Sequence, residues 1–441
     1  MKRYISFFCC FLVLSVGQVW AQSPDVPTPA SSSGGAIMLV GGTVHVGNGQ
    51  VLENATIVME NGKIVSLGKG KPNASEATLI NIEGKHVYPG LIAINTAIGL
   101  NEVAAVRATQ DYAEVGDFNP NVRAIIAYNT DSRVTPTVRS NGVMLAQVVP
   151  QGGTVSGQSS VVELDAWNWE DAAYKMDDGI YLNWPNTFKR KGWWEKNPGS
   201  IEDNKDYDEK TTDIKDFFDQ AKAYCEGSSK KTKNLKFESM CGLFDGSKKL
   251  YVRTSYVKAI VDVVNFTKNY GVQLVIVGGS DAWMAADLLA ENKVAVVLSK
   301  THNLPNRTDD DIDLPYRMPK ILNDAGVLYC ITVGSGWDGF WDQRNLAFEA
   351  GTAAAYGLNK EEALQSVTLN AAKILGINET VGSLEVGKDA SLIVSKGDLL
   401  DMRSSHVEYA FVRGKQIDLD NKQKALYRKF MNKYGKEIKQ H

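Results

Sequence analysis

The chain has 441 residues, enough for one large domain or for a barrel with a smaller companion domain. Hydrophobic residues make up 44% and charged residues 22%, an ordinary balance for a soluble globular protein. The formal net charge of −3 gives no basic bias toward nucleic acid, and no DNA- or RNA-binding signature is present.

The first segment reads as an address. Lys2 and Arg3 form a short positive region, and residues 5–16 are mostly apolar but short for a bilayer span. Val19-Trp20-Ala21 then offers a peptidase site, so 1–21 is expected to be a cleaved signal peptide. Export follows, with the periplasm as the expected destination if the source is a diderm bacterium and secretion into the medium as the alternative. Residues 22–36, rich in Ser, Pro and Gly, read as a flexible leader. No later stretch is apolar and long enough to cross a membrane. Removing the signal leaves Cys225, Cys241 and Cys330. Export makes a Cys225–Cys241 bridge chemically possible, whereas Cys330 sits in a buried-looking strand and reads as a core thiol.

Residues 37–87 read as short strands at 36–46, 55–60 and 63–67, with Asn61-Gly62 as a tight hairpin turn. Residues 390–394 and 409–412 read the same way, with Arg413-Gly414-Lys415 as a turn. The two chain ends, 37–87 and 381–417, are therefore expected to form one small β-sandwich. Between them, 88–380 alternates strand and helix. Strands are expected at 88–94, 143–149, 272–277, 294–298 and 327–332, and helices near 281–291, 319–324, 345–356 and 360–375. That alternation argues for an α/β fold of parallel βα units. Residues 165–250 are polar, aromatic and lysine-rich, and read as an insertion on the barrel rim. Residues 418–441 read as a basic, solvated helical tail.

Three pieces together resemble the amidohydrolase superfamily, in particular its imidazolonepropionase-like members. They are GKHVYPGLIAINTAIGL at 84–100, VTLNAAKILGI at 367–377, and VGSLEVGKDASLIVSKGD at 381–398 with VEYAFVRGKQI after it. The resemblance implies a (β/α)8 TIM-like barrel with a β-sandwich from both chain ends. It also implies one or two divalent metal ions at the C-terminal ends of the barrel strands, where barrel sites sit. The family's ligands are a His-x-His pair, two further His and an Asp, which suit a Zn²⁺ that activates water.

This chain departs from that set. Asn95 and Ala97 stand at the His-x-His positions, and Ala93 stands where an Asp is usual. The middle strands end in Gly278, Gly279 and Ser280, and in a segment that supplies His302. Gly334 and Ser335 stand near the expected Asp, with Asp338 a few residues later. The protein has five His, and His45, His86, His406 and His441 fall outside the barrel's working face. One His does not build a three-His site.

The expectation is therefore a pseudoenzyme barrel acting as a binding or partner module for an unknown small ligand, with no cofactor. The alternatives are a hydrolase of non-peptide carbon–nitrogen bonds, acting on cyclic amides or small peptides, and a non-catalytic subunit paired with an active homologue. Zinc is required only by the hydrolase. Its candidate catalytic residues are His302, Asp338, Glu102, Glu163 and Asp342. A lone His is more often structural, so convergence of His302 with two of these carboxylates would be the discriminating sign. Asn95, Gln158, Trp337 and Trp341 are candidate pocket-lining residues. Asp309, Asp310, Asp311 and Asp313 lack calcium-loop spacing and read as a solvated acidic loop. Trp167, Trp169, Trp184, Trp193 and Trp194 suit a binding surface, either for a partner in a homo-oligomer or heteromer or for flat ligand rings, or else packing of the insertion onto the barrel.

Overall fold

The computed structural model describes residues 27–31, 34–70, 77–227, 232–307, 309–336 and 339–437. The expected signal peptide at 1–21, Trp337 and Asp338 lie outside the described residues.

One eight-stranded sheet draws on both chain ends. Its order runs Lys415–Gln416, Val407–Val412, Leu392–Ser395, His86–Pro89, Ile37–His45, Val51–Glu60 and Lys63–Lys69, with Thr78–Asn81 beside Ile37–His45. The expected hairpin turns have the geometry that their sequences require. Asn61 and Gly62 both carry positive φ (49° and 80°), as do Arg413 and Gly414 (46° and 71°). Leu39, Ile57, Ile64, Val87, Leu392 and Phe411 form a separate core for this sheet.

The second eight-stranded sheet is the barrel. Its strands are β1 (Leu91–Thr96), β2 (Val143–Val148), β3 (Val155–Glu163), β4 (Ala173–Asn183), β5 (Lys249–Thr254), β6 (Leu274–Gly278), β7 (Ala295–Leu298) and β8 (Tyr329–Ile331). It curls nearly to closure. Across the remaining seam the Thr332 hydroxyl donates to the Ile94 carbonyl.

The structure corrects four expectations here. The barrel is not made of parallel βα units throughout, because β3 runs antiparallel to both β2 and β4. The link from β2 to β3 spans only residues 149–154, which suffices for a hairpin but not for a parallel crossover. Gly152 and Gly153 take φ of +81° and +61° in it, and a Cβ at Gly153 would meet the Gly116 carbonyl at 2.7 Å. Second, the stretch 165–250 is not all insertion, since β4 lies inside it and pairs with β5. Its polar run Asp177-Asp178-Gly179 hides a strand whose inner face is polar. Third, the strand expected at 88–94 is two strands, His86–Pro89 in the terminal sheet and Leu91–Thr96 in the barrel. Fourth, part of the leader is docked, with the Ala30 amide donating to Asp165 at 2.9 Å. Asp165 also holds the buried Arg139.

Within the former insertion, helices α1 (Tyr207–Glu226) and α2 (Leu235–Phe244) pack together and are joined by a Cys225–Cys241 disulfide. Cys330 is buried in β8, which pushes its thiol pKa up. Farther along, α3 is Val257–Tyr270, and α4 (Ala286–Glu291), α5 (Leu314–Asp324) and α6 (Leu346–Ala355) separate or follow the later strands. The helix expected at 360–375 breaks at Val367-Thr368 into α7 (Lys360–Ser366) and α8 (Leu369–Leu375). The tail forms α9 (Lys422–Lys433), capped by Asn421 and without a buried residue. No described helix is long and apolar enough to cross a membrane.

Candidate functional site

The C-terminal ends of the parallel strands define the barrel mouth. At the end of β1, Asn95 takes φ +56°, a left-handed conformation that Asn tolerates better than most side chains. The β1–β2 register slips between Ala93 and Thr96, so the strand bulges there and re-aims the side chain. The Asn95 carboxamide oxygen accepts from the Arg253 guanidinium at 3.3 Å and from the Ser335 hydroxyl at 3.3 Å.

Arg253, near the end of β5, is the organising charge. Its NH1 donates to Asn183 Oδ1 at 3.2 Å and Ser156 Oγ at 3.4 Å, and its NH2 also donates to the Pro150 carbonyl at 3.1 Å. Its guanidinium lies over the Tyr181 ring, 4.6 Å from the centroid. All of these acceptors are neutral, and among the described residues no carboxylate pairs with Arg253. Burial pulls its pKa down to about 10, which leaves it charged at neutral pH.

Beneath Arg253 the barrel is packed with a polar network and is not a pore. Gln147 donates to Asp178 at 2.9 Å and to Ser159 at 3.2 Å. Its oxygen accepts from the Tyr181 hydroxyl at 2.8 Å and the Asn95 backbone N–H at 3.3 Å. Ser159 and Tyr251 also donate to Asp178, at 2.7 Å and 3.1 Å. Asp178 is fully enclosed, and burial raises its pKa despite those three donors. The stacked rings of Tyr181 and Tyr251, 4.9 Å apart, form one wall of this plug.

The residues at the mouth do not fit a catalytic zinc. Its expected ligand positions hold a carboxamide (Asn95) and a buried methyl group (Ala97), and a fixed cation sits against the carboxamide. Zinc takes thiolate, imidazole and carboxylate ligands, and a guanidinium repels it. At the end of β6, Gly278 and Gly279 take φ of +102° and +57°, and a Cβ at Gly278 would meet Ser255 Oγ at 3.0 Å. A histidine there would be strained and crowded.

The other candidate residues do not converge. His302 is an exposed loop residue held against α6, with Nδ1 3.3 Å from Glu349 and Nε2 on Thr352. Glu102 accepts from Asn129 at 3.2 Å on the long loop after β1. Glu163 ends the antiparallel β3, so it lies at the opposite end of the barrel and faces Arg413 at 2.6 Å. Burial outweighs that cation and pushes Glu163 up to about 7. Asp342 approaches Arg344 at 3.8 Å. Gln158 is not a pocket residue, because its neighbour Ser159 takes the inward position and Gln158 accepts from Lys248 instead. Trp341 packs half-buried against the main core. Three of the four carboxylates of the acidic run are paired, Asp311 and Asp313 with Arg317 and Asp310 with Arg307. Arg253, Gln147 and Asp178 were missed from sequence. The available signal was LYVRTS at 250–255, a β-prone run with one cation, masked by the lysine-rich segment before it.

Comparison with known proteins places this architecture. Residues 259–418 match the amidohydrolase family model. An imidazolonepropionase from Thermoplasma volcanium is 25% identical over 402 residues, 87% of this chain and 95% of that protein. The amidohydrolase tasK of Hapsidospora irregularis is 34% identical over 119 residues, which is 25% of this chain and only 12% of that larger protein. Among solved structures, an amidohydrolase from Thermotoga maritima superposes with a TM-score of 0.75 at 24% identity, over 87% of this chain and 99% of its own. A zinc-bound adenosine deaminase from Xanthomonas campestris gives 0.53 at 17% identity, over 92% and 99%.

Proposed function

The chain belongs to the amidohydrolase superfamily, and from that premise we propose that it is an exported barrel that binds a small ligand without metal-dependent hydrolysis. The observation that carries this reading is the Arg253 guanidinium hydrogen-bonded to Asn95 at 3.3 Å, where the superfamily's metal would need ligands. A positive charge fixed in the barrel wall takes the place of one that must be bound. Zinc is required only if the hydrolase reading holds, and that reading lacks support in the scattered positions of Glu102, Glu163, His302 and Asp342. Export to the periplasm rests on residues 1–21. The terminal sheet is read as the small β-sandwich of this architecture, on the support of its own core.

A second reading has one observation in its favour. Trp193 and Trp194 are 83% and 72% exposed on the loop of the Phe188–Arg190/Ile201–Asp203 hairpin. Aromatic side chains in such a position suit contact with a partner chain, either a second copy or an active homologue.

Elemental mass spectrometry of the mature protein, equilibrated with Zn²⁺ and Mn²⁺ and then freed of excess, tests the first reading. The expected result is less than about a tenth of an equivalent, where a three-ligand site would stay filled. Near one or two equivalents, lost on replacing His302 or Asp338, would overturn it and restore the hydrolase.

A further inference from the structure

We infer that the barrel mouth above Arg253 is a receptor for a small organic monocarboxylate. The inference deepens the reading of the barrel as a binding module and rests on it.

A charge that folding strips of most of its water is ordinarily paired, because neutral dipoles do not fully replace what it has lost. Arg253 has only neutral partners among the described residues, at 3.1 to 3.4 Å. These are long for N–H···O bonds, and charge-assisted bonds to a carboxylate are shorter and about twice as strong. Further donors converge on the same place. The Ser335 hydroxyl meets the same Asn95 oxygen as Arg253, and Asn95 Nδ2 has no partner among the described residues. The loop carrying Ser335 is held from both sides. Gln151 Nε2 donates to the Ser335 carbonyl at 2.7 Å, and Gln343 Nε2 donates to that of Gly334 at 3.0 Å. Arg253, Asn183, Gln151, Gly334 and Ser335 are all partly exposed, so solvent reaches this spot.

The charge count selects the class of anion. Arg253 is the only cation among these groups. Lys248 is taken up by Gln158, and Lys249 donates to the Ile374 carbonyl at the opposite end of β5. One planar guanidinium matches one planar carboxylate, whereas a phosphate dianion calls for more positive charge. The interior acid Asp178 is already engaged by three donors below.

The test is calorimetric titration of the mature protein with N-acetylglycine and benzoate, with their primary amides, and with inorganic phosphate. At least one carboxylate is expected to bind saturably, with its amide and phosphate at least about tenfold weaker. Arg253→Lys should weaken binding at least about tenfold, since the planar fork is lost while the charge stays. Ser335→Asp, a change at a partly exposed loop position, should abolish binding by giving Arg253 an internal counter-ion. Absence of saturation by both carboxylates, phosphate binding as tightly as they do, or unchanged binding in Ser335→Asp would each overturn the inference. Failed binding in a zinc-free protein removes this inference alone. A stoichiometric zinc ion removes the reading beneath it.

Discussion

The Arg253 guanidinium and the Asn95 carboxamide oxygen lie 3.3 Å apart across the mouth of the barrel, a cation facing a neutral group. Asn95→Asp changes one atom, keeps a side chain that tolerates φ +56°, and turns this contact into an ion pair. The parent bond already has one charged partner, and charging the second strengthens it by roughly the worth of one more ordinary hydrogen bond, so the variant should be more stable than the parent by about 1 kcal/mol at pH 7. The new Asp has a folded pKa below its unfolded value near 4. Its stabilisation is therefore present above that value and lost as pH falls through the folded pKa. Urea unfolding at pH 7 and pH 3 checks this. An Asn95→Asp protein no more stable than the parent at pH 7 would mean that Arg253 already has its counter-charge.

Glu163 gives a pH dependence of the opposite sign. Burial raises its folded pKa to about 7, above its value of 4.5 when exposed, so the folded state holds the proton more tightly. Its contribution is fully present below the unfolded pKa and is lost as pH rises toward 7. The difference corresponds to at most about 3 kcal/mol, lessened by the half-exposed Arg413 beside it. Glu163→Gln removes the titration. Its stability should vary less than that of the parent between pH 4.5 and 7.5, with the variant equal or better at the upper end. Parallel pH profiles from denaturant midpoints would rule this out.

The Cys225–Cys241 disulfide closes a loop with a sequence separation of 16 between α1 and α2. Loop-closure entropy for that length is worth about 3 kcal/mol. Cys225→Ser with Cys241→Ser should lower the unfolding free energy by that order. The parent should fall to the same level in dithiothreitol, while the double variant should not respond to reductant. Equal stability of the parent with and without reductant would show that the two helices hold each other without the bond.

Much of the fold was legible because its signals are local. Asn61-Gly62 and Arg413-Gly414 force their hairpins, and the apolar runs of β6 and β7 are bounded by turns. The departures from a metal site at Asn95, Ala97 and Gly278 could also be read, since they are identities at motif positions. Two things were not legible. Strand β4 carries Asp177 and Asp178 in its middle, and a buried carboxylate makes a strand look like a loop until its partners Gln147, Ser159 and Tyr251 are known. Arg253 looked like one more cation in a lysine-rich stretch, because nothing local tells a guanidinium aimed into a barrel from one in solvent. Both are non-local facts, set by which strands pair.

Gln147 is the test of that interior. Its side chain serves Asp178, Ser159, the Tyr181 hydroxyl and the Asn95 backbone N–H at once. Gln147→Leu fills a similar volume but leaves the Tyr181 hydroxyl and the Asn95 backbone N–H without their acceptor, and Asp178 without one of its donors. Unsatisfied buried groups cost about 1–3 kcal/mol each, and networks lose more than isolated pairs, so the total should reach at least about 3 kcal/mol. Tyr251→Phe removes a single 3.1 Å bond to Asp178 and should cost about 1 kcal/mol. Urea unfolding of both variants measures the contrast. Similar small losses in the two would mean that the network is not cooperative and that Arg253 and Asn95 are positioned by the backbone alone. A large loss confined to Gln147→Leu, with weaker carboxylate binding in any fraction that folds, would tie the position of the Asn95 backbone N–H to this buried side chain.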